Sequence, residues 1–197
     1  SLDKRGVWRV HGMHWRGAVT FERRCRMGSV FARVSDLSSF FGEPAYRFVV
    51  RRSFAYWQAE RRVFGIIIWG RPDEADVDEI CAAHEVGANP LFRGHTSLVD
   101  LRALESVDLL AFGRLLAYLK KRRDAWSPMV TRQAVLHGGG LAHATVAGMF
   151  EFLRPGHPVV FFDDPRAAYE AVSAADRAQN AARQDPIGEL GPGLRRS

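Results

Sequence analysis

The segment that most constrains how this chain can fold is 63–69, which reads Val-Phe-Gly-Ile-Ile-Ile-Trp. Apart from Gly65 every residue is apolar, and four of the seven are branched at Cβ. Branched side chains favour β-strands, and a strand that is apolar on both faces is typical of a sheet covered by helices. The run is also far shorter than the ~20 residues that a membrane-spanning helix requires. The segment therefore predicts a central strand of an α/β domain.

Strand-like and helix-like segments alternate along the rest of the chain. Segments of strand character are 48–50, 54–57, 96–101, 131–136 and 159–162, and segments with helical periodicity are 73–84, 108–123, 141–153 and 164–183. Strands that alternate with helices form parallel sheets with right-handed crossovers. We therefore predict an α/β fold with a mixed, mostly parallel β-sheet and helices packed on it, in the order β-β-α-β-α-β-α-β-α. The opening pair of strands is expected to be antiparallel.

The helical segments carry apolar residues at positions expected to face the sheet. In the first helix these are Val77, Ile80, Cys81 and His84; in the second Leu109, Phe112, Leu115, Leu116 and Leu119; in the third Val146, Met149, Phe150 and Leu153. Asp108 stands where an N-cap residue is expected. The four cations at 120–123 close the same helix; complementing the helix dipole on a solvated face is the favoured interpretation, and a nuclear or nucleic-acid patch is the alternative.

Three units are expected along the chain. Residues 1–47 form a basic, poorly patterned N-terminal arm, residues 48–183 form the α/β domain, and residues 184–197, with two prolines and three glycines, form a C-terminal linker. Three interpretations of the first 45 residues stay open: a disordered arm, a start that truly lies at Met13 or Met27, or a small element packed on the body. Because the chain begins with Ser and ends in a linker, we expect a processed form or a fragment of a longer protein.

Charge and cysteine content limit the class of protein. Residues 1–62 hold 13 Lys and Arg against 5 Asp and Glu, and residues 63–197 hold 15 against 17, so only the N-terminal third is basic. A basic arm can bind phosphates nonspecifically, but the body gives no electrostatic case for nucleic acid. The two cysteines, Cys25 and Cys81, are too few for a disulfide framework, so a cytoplasmic protein is expected, with Cys81 buried as a small apolar residue. No membrane association and no cofactor are expected.

A Gly-rich turn at 137–140 is the main candidate for chemistry. His137 is followed by three glycines between a strand and a helix, an arrangement that can cradle a phosphate at a helix N-terminus. The chain has neither the Gly-x-Ser-x-Gly of lipases nor the Gly-Lys-Ser/Thr of a P-loop. A flexible turn is the favoured interpretation. His137, His143 and His157 lack partners at metal-ligand spacing, so no metal site is predicted.

Several segments together resemble the STAS (SpoIIAA-like) superfamily of regulatory domains. The resemblance runs from about residue 53 to 172 and is closest to domains that precede AraC-type helix-turn-helix domains in bacterial regulators of the myxobacterial type. The segments that carry it are 61–65, 69–72, 97–100, 130–135 and 147–150. Phosphorylated members carry Asp and then Ser at the start of the helix that follows the strand at 96–101. Here Asp108 matches the Asp, but Leu109 replaces the Ser. The resemblance implies that the loop at 102–108 is part of the contact surface of the domain, and that an AraC-like output domain lies beyond Ser197.

We therefore expect a non-enzymatic regulatory or sensory domain that binds a protein partner or a small-molecule effector. Its contact residues would be Arg102, Asp108, Arg114, His137, Gly138 and Gly139. DNA would be bound only by a separate helix-turn-helix domain that this chain lacks, and exposed strand edges permit a homodimer. The alternative is an anion- or nucleotide-binding enzyme domain that uses the Gly-rich turn at 138–140.

Overall fold

The computed structural model describes residues 32–42, 46–60, 62–87, 92–138 and 140–184. The strands are β1 (Ala32–Arg33), β2 (Arg47–Val50), β3 (Phe54–Glu60), β4 (Val63–Gly70), β5 (His95–Leu104), β6 (Val130–Leu136) and β7 (Val159–Phe162). The helices are α1 (Leu37–Gly42), α2 (Glu74–Gly87), α3 (Leu109–Trp126), α4 (Gly140–Leu153) and α5 (Pro165–Gln184). None of these helices is both long enough and apolar enough to cross a membrane.

All seven described strands form one sheet whose spatial order follows the chain, from β1 to β7. The pairs β2–β3 and β3–β4 are antiparallel, whereas β1–β2, β4–β5, β5–β6 and β6–β7 are parallel. The predicted fold class, a mixed and mostly parallel sheet with helices on it, is confirmed, and so is the antiparallel opening hairpin. From β3 onward the element order is also the predicted one.

Helices cover both faces of the sheet. On one face α5 packs through Ala168 and Val172 onto a cluster that includes Trp57, Ile67 and Leu98. On the opposite face a second cluster gathers aromatic and aliphatic side chains of the sheet and of α1 and α2: Phe40, Val49, Phe54, Tyr56, Phe64, Ile66, Ile80 and Ala83. Helices α3 and α4 continue this second layer beside α2. The central strands are thus covered on both faces, as the apolar run at 63–69 requires.

Strand β1 and helix α1 lie within the stretch that the sequence assigns to the N-terminal arm. The Asp36 carboxylate caps α1 by accepting hydrogen bonds from the Ser39 backbone N–H (2.7 Å) and hydroxyl (2.9 Å), which together lower the pKa of Asp36. Phe40 then enters the core with none of its surface exposed. The described fold therefore begins before residue 48. Residues 1–31 and 185–197, which hold most of the expected arm and linker, lie outside the described residues.

Two expectations about individual side chains are corrected. Leu109, expected to face the sheet, is 83% exposed, because it is the first residue of α3 and helical side chains point back toward the N-terminus, where no earlier turn of the helix lies beneath it. Cys81, expected to be buried, is only partly buried. Its partial burial still raises the pKa of the thiol to about 11.

Candidate functional site

The end of β5 and the turn after β6 lie side by side at the carboxyl edge of the parallel strands. Asp100 of β5 is opposite Leu136, the last residue of β6, and β5 then continues to Leu104 paired with β4. A Cβ atom on Gly138 would lie 3.1 Å from the carbonyl oxygen of Arg102. A close backbone approach of this kind accounts for a glycine at 138 without any bound anion. We call this edge, from Arg102 to Leu110 together with His137 and Gly138, the rim.

Arg102 is already paired within the protein. Its Nη2 lies 2.7 Å from Asp100 Oδ2 and its Nε 3.0 Å from Asp100 Oδ1, a two-pronged ion pair between residues two apart on one strand. The Asp100 side chain is almost fully buried, so removal of the guanidinium would leave a buried charge without compensation. Arg102 therefore holds the end of β5, and its guanidinium is already committed to Asp100.

Asp108 is the N-cap of α3, as predicted. Its Oδ1 accepts hydrogen bonds from the backbone N–H groups of Leu110 and Ala111, both at 2.9 Å. These are two of the donors that the first turn of a helix leaves without an intrahelical partner. The geometry assigns this carboxylate a structural task at the rim and fixes where the helix begins.

Arg114 is directed toward α2. Its Nη1 lies 2.9 Å from Glu74 Oε2 and 3.3 Å from Asp78 Oδ2. Both carboxylates are about half exposed, so the pairs contribute little stability on their own. They link α3 to α2 at the surface of the helix layer. The structure thus brings Arg102, His137 and Gly138 together at the rim, whereas Arg114 forms ion pairs between α3 and α2.

At the rim, His137 extends the pairing between β6 and β7 by one residue. Its backbone N–H donates to the carbonyl of Phe162 at 3.2 Å, and its ring lies 6.3 Å from that of Phe161, centre to centre. The ring therefore rests against the edge strand β7. Gly139, the remaining predicted contact residue, lies outside the described residues.

Sequence reasoning missed the most exposed apolar group of the described fold. Leu109 and Leu110, which we call the leucine pair, are 83% and 72% exposed at the start of α3. The available signal was their position directly after the N-cap, where helical side chains point back beyond the start of the helix. The rim therefore carries apolar surface next to charged groups that are satisfied internally.

A cavity of about 240 Å³ between the sheet and helices α2, α3 and α4 was likewise not predicted from the sequence. His84 and Tyr56 line it, with their ring centres 6.4 Å apart. Burial lowers the pKa of His84 to about 4 and raises that of Tyr56. Both side chains are therefore uncharged at neutral pH. The signal in the sequence was a histidine on the apolar face of the helix at 73–84.

Among the described residues, no three His, Cys, Asp or Glu side chains are grouped closely enough to hold a metal ion. No family model matches this chain, and no curated protein matches it. A similar solved structure is that of an uncharacterized protein of the DUF3478 family from Shewanella loihica PV-4, which has a SpoIIAA-like fold. The identity is 17%, the match covers 61% of this chain and 94% of that chain, and the TM-score is 0.49. A similarity of this degree does not assign the chain to a family.

Proposed function

We propose that this chain is a non-enzymatic regulatory domain that binds a protein partner at the rim. The observation that carries the proposal is the exposure of the leucine pair at the start of α3. Two adjacent leucines that leave most of their surface in water lose free energy unless another surface covers them. A protein with an apolar contact patch would cover both.

The charged groups of the rim support a binding role over a catalytic one. Asp108 is occupied by the first turn of α3, and Arg102 is held by Asp100. A general acid, base or anion clamp needs a group that can turn to a substrate, whereas these side chains stabilise the protein itself. They surround the leucine pair with polar atoms, as the polar periphery of a protein interface surrounds its apolar centre.

The resemblance to STAS domains supports the same location. In that superfamily the start of this helix is the working surface, and the residue after the Asp is the phosphorylated Ser. Leu109 at this position has no hydroxyl to modify. We therefore propose that the leucine pair makes an apolar contact with the partner without a phosphorylation switch at position 109.

We further propose that the output of this domain is transcription, through an AraC-type helix-turn-helix domain in the same regulator. The support is the sequence resemblance at 61–65, 69–72, 97–100, 130–135 and 147–150. A reporter controlled by the full regulator tests this proposal. Its response should change when the leucine pair is replaced, while the regulator's affinity for DNA should not.

The partner is identified by quantitative affinity purification with the full chain and then produced on its own, so that its affinity can be measured by calorimetry. Leu109→Asp combined with Leu110→Asp should weaken binding at least tenfold, because each substitution places a charge in a buried apolar contact. Val86→Asp is the matched control, since Val86 is 41% exposed on α2. Equal affinity of the double variant and the wild type would refute the proposed surface.

A further inference from the structure

The cavity of about 240 Å³ follows strand β5 for most of the length of that strand. Its lining includes every second residue of the first part of β5: His95, Ser97, Val99 and Leu101. These side chains share one face of the sheet, and the strand advances by about 20 Å from the first of them to the last. Strand β5 thus forms one long wall of the cavity.

Helix α3 forms the wall opposite β5. The residues of α3 that line the cavity share one face of the helix and are Ala111, Phe112, Leu115, Leu119, Arg123 and Trp126. From the first of these residues to the last, the helix advances by about 22 Å. The ring centres of Trp126 and His95 are 6.3 Å apart, so the end of α3 lies over the start of β5. The two walls therefore run in opposite directions, and the cavity between them is long.

The lining of the cavity is selective for charge. Among the described residues that line it, Arg123 alone carries a permanent charge, and none is acidic. Burial lowers the pKa of the three lining histidines, His84, His95 and His157, so these rings are uncharged at neutral pH. Most of the other lining residues are aliphatic or aromatic. Such walls favour an apolar ligand that carries a single negative charge.

Arg123 lies where the cavity meets water, because its side chain is 52% exposed. Its Nε lies 3.5 Å from Oδ1 of Asp124, whose side chain is 95% exposed, so this ion pair is weak. The guanidinium can therefore turn to the anionic group of a ligand. A carboxylate matches it best, because the two groups form a pair of parallel hydrogen bonds.

The volume and the length of the cavity together define the apolar part of the ligand. A cavity of ~150 Å³ binds benzene, so by the same measure about 240 Å³ holds roughly ten non-hydrogen atoms. A fused ring system of that size is compact, whereas the walls extend for about 20 Å, of which the side chains at the two ends occupy a part. An unbranched hydrocarbon chain fits this shape.

We propose that the cavity binds a fatty acid of medium length, with its chain between β5 and α3 and its carboxylate at Arg123. The far end of the cavity is lined by Leu104 and Val107 of the rim, so the chain points toward the rim. Binding of the fatty acid can be measured without a partner, so its outcome is distinguishable from that of the proposed function.

The test uses the full chain and three probes: decanoate, 1-decanol, which has the same chain without the charge, and hexanoate, which has a shorter chain. Calorimetry below the concentration at which micelles form should show one saturable site for decanoate. Binding of 1-decanol should be about tenfold weaker, and that of hexanoate more than tenfold weaker. Equal affinity for decanoate and 1-decanol would overturn the inference.

Two neighbouring arginines test the position of the carboxylate. Arg123→Gln should lower the affinity for decanoate to that for 1-decanol, and it should leave the affinity for 1-decanol unchanged. Arg122→Gln is the matched control, because Arg122 pairs with Glu85 on α2 and does not line the cavity. An equal loss of affinity for decanoate in both variants would overturn the inference.

Two further measurements locate the chain of the ligand. Val99→Phe should abolish binding of decanoate by filling the cavity, whereas Val160→Phe, the same change at an exposed position of β7, should leave it unchanged. If Val99→Phe fails to fold, nuclear Overhauser effects in the wild type decide, because bound decanoate should contact the methyl groups of Val99 and Leu115. Binding without these contacts, or no saturable binding of decanoate, would overturn the inference.

Discussion

The environment of His84 predicts a specific dependence of stability on pH. The ring packs against Tyr118 and Trp126, and burial is the main cause that lowers its pKa to about 4. His95 lowers the pKa further, whereas the nearby Glu85 raises it. In the unfolded chain the pKa returns to its ordinary value of about 6.5. The unfolded state therefore binds a proton at a higher pH than the folded state does.

The sign and size of the effect follow from this difference. Stability falls as the pH decreases through about 6.5, and the loss is complete below about 4. Between about pH 7.5 and about pH 5 the contribution of His84 to the free energy of unfolding should decrease by about 2 kcal/mol. For a chain of this size that corresponds to a decrease in melting temperature of about 4–8 °C.

The assay is chemical denaturation of the wild type, His84→Phe and Tyr118→Phe at both pH values. His84→Phe removes the titrating group, so it should lose about 2 kcal/mol less than the wild type over this interval. Tyr118→Phe changes a neighbouring ring without adding or removing a group that titrates there, so it should follow the wild type. The reasoning would be refuted if His84→Phe and the wild type lost the same free energy of unfolding.

Three further predictions concern the rim and the sheet. Asp108→Ala should destabilise the protein by about 1 kcal/mol in denaturant unfolding, because two N–H groups of α3 lose their acceptor; an unchanged midpoint would contradict the cap. Gly65→Ala should cost about 1–3 kcal/mol, since its Cβ would lie 2.0 Å from the indole of Trp57, whereas Gly113→Ala meets open space and should stabilise α3 slightly. Equal effects of the two would exclude the collision. ATP and inorganic phosphate should show no saturable binding in calorimetry; binding that Gly139→Val abolishes would favour the nucleotide-binding alternative.

The parts of the fold that follow from local pattern were predictable. The apolar run at 63–69 became β4, which ends at Gly70 in the left-handed conformation that glycine permits. The N-cap at Asp108 also follows from residue type and position. Strand β1 could not be read this way, because it is two residues long and its pairing with β2 is set by the rest of the sheet.

The candidate site was predictable only in part. The end of β5 and the turn after β6 meet because neighbouring parallel strands end at one edge, so Arg102 and Gly138 could be placed together from their positions in the chain. The ion pairs that occupy Arg102 and Arg114 depend on rotamers, and the cavity depends on how far α3 stands from the sheet. Such distances are set by the sum of many packing contacts. His84 was visible as a polar residue on an apolar face, but its role was not.

The strand order has a consequence for where small molecules can bind. Open α/β sheets commonly hold ligands in a crevice where two neighbouring strands send their helices to opposite faces. In this sheet the order from β4 to β7 never reverses, and α2, α3 and α4 all lie on one face, so no such crevice opens between the parallel strands. Any sizeable enclosure has to form beneath the helices instead. The spacing between the sheet and helices α2, α3 and α4 therefore sets the size of the space that this topology leaves open.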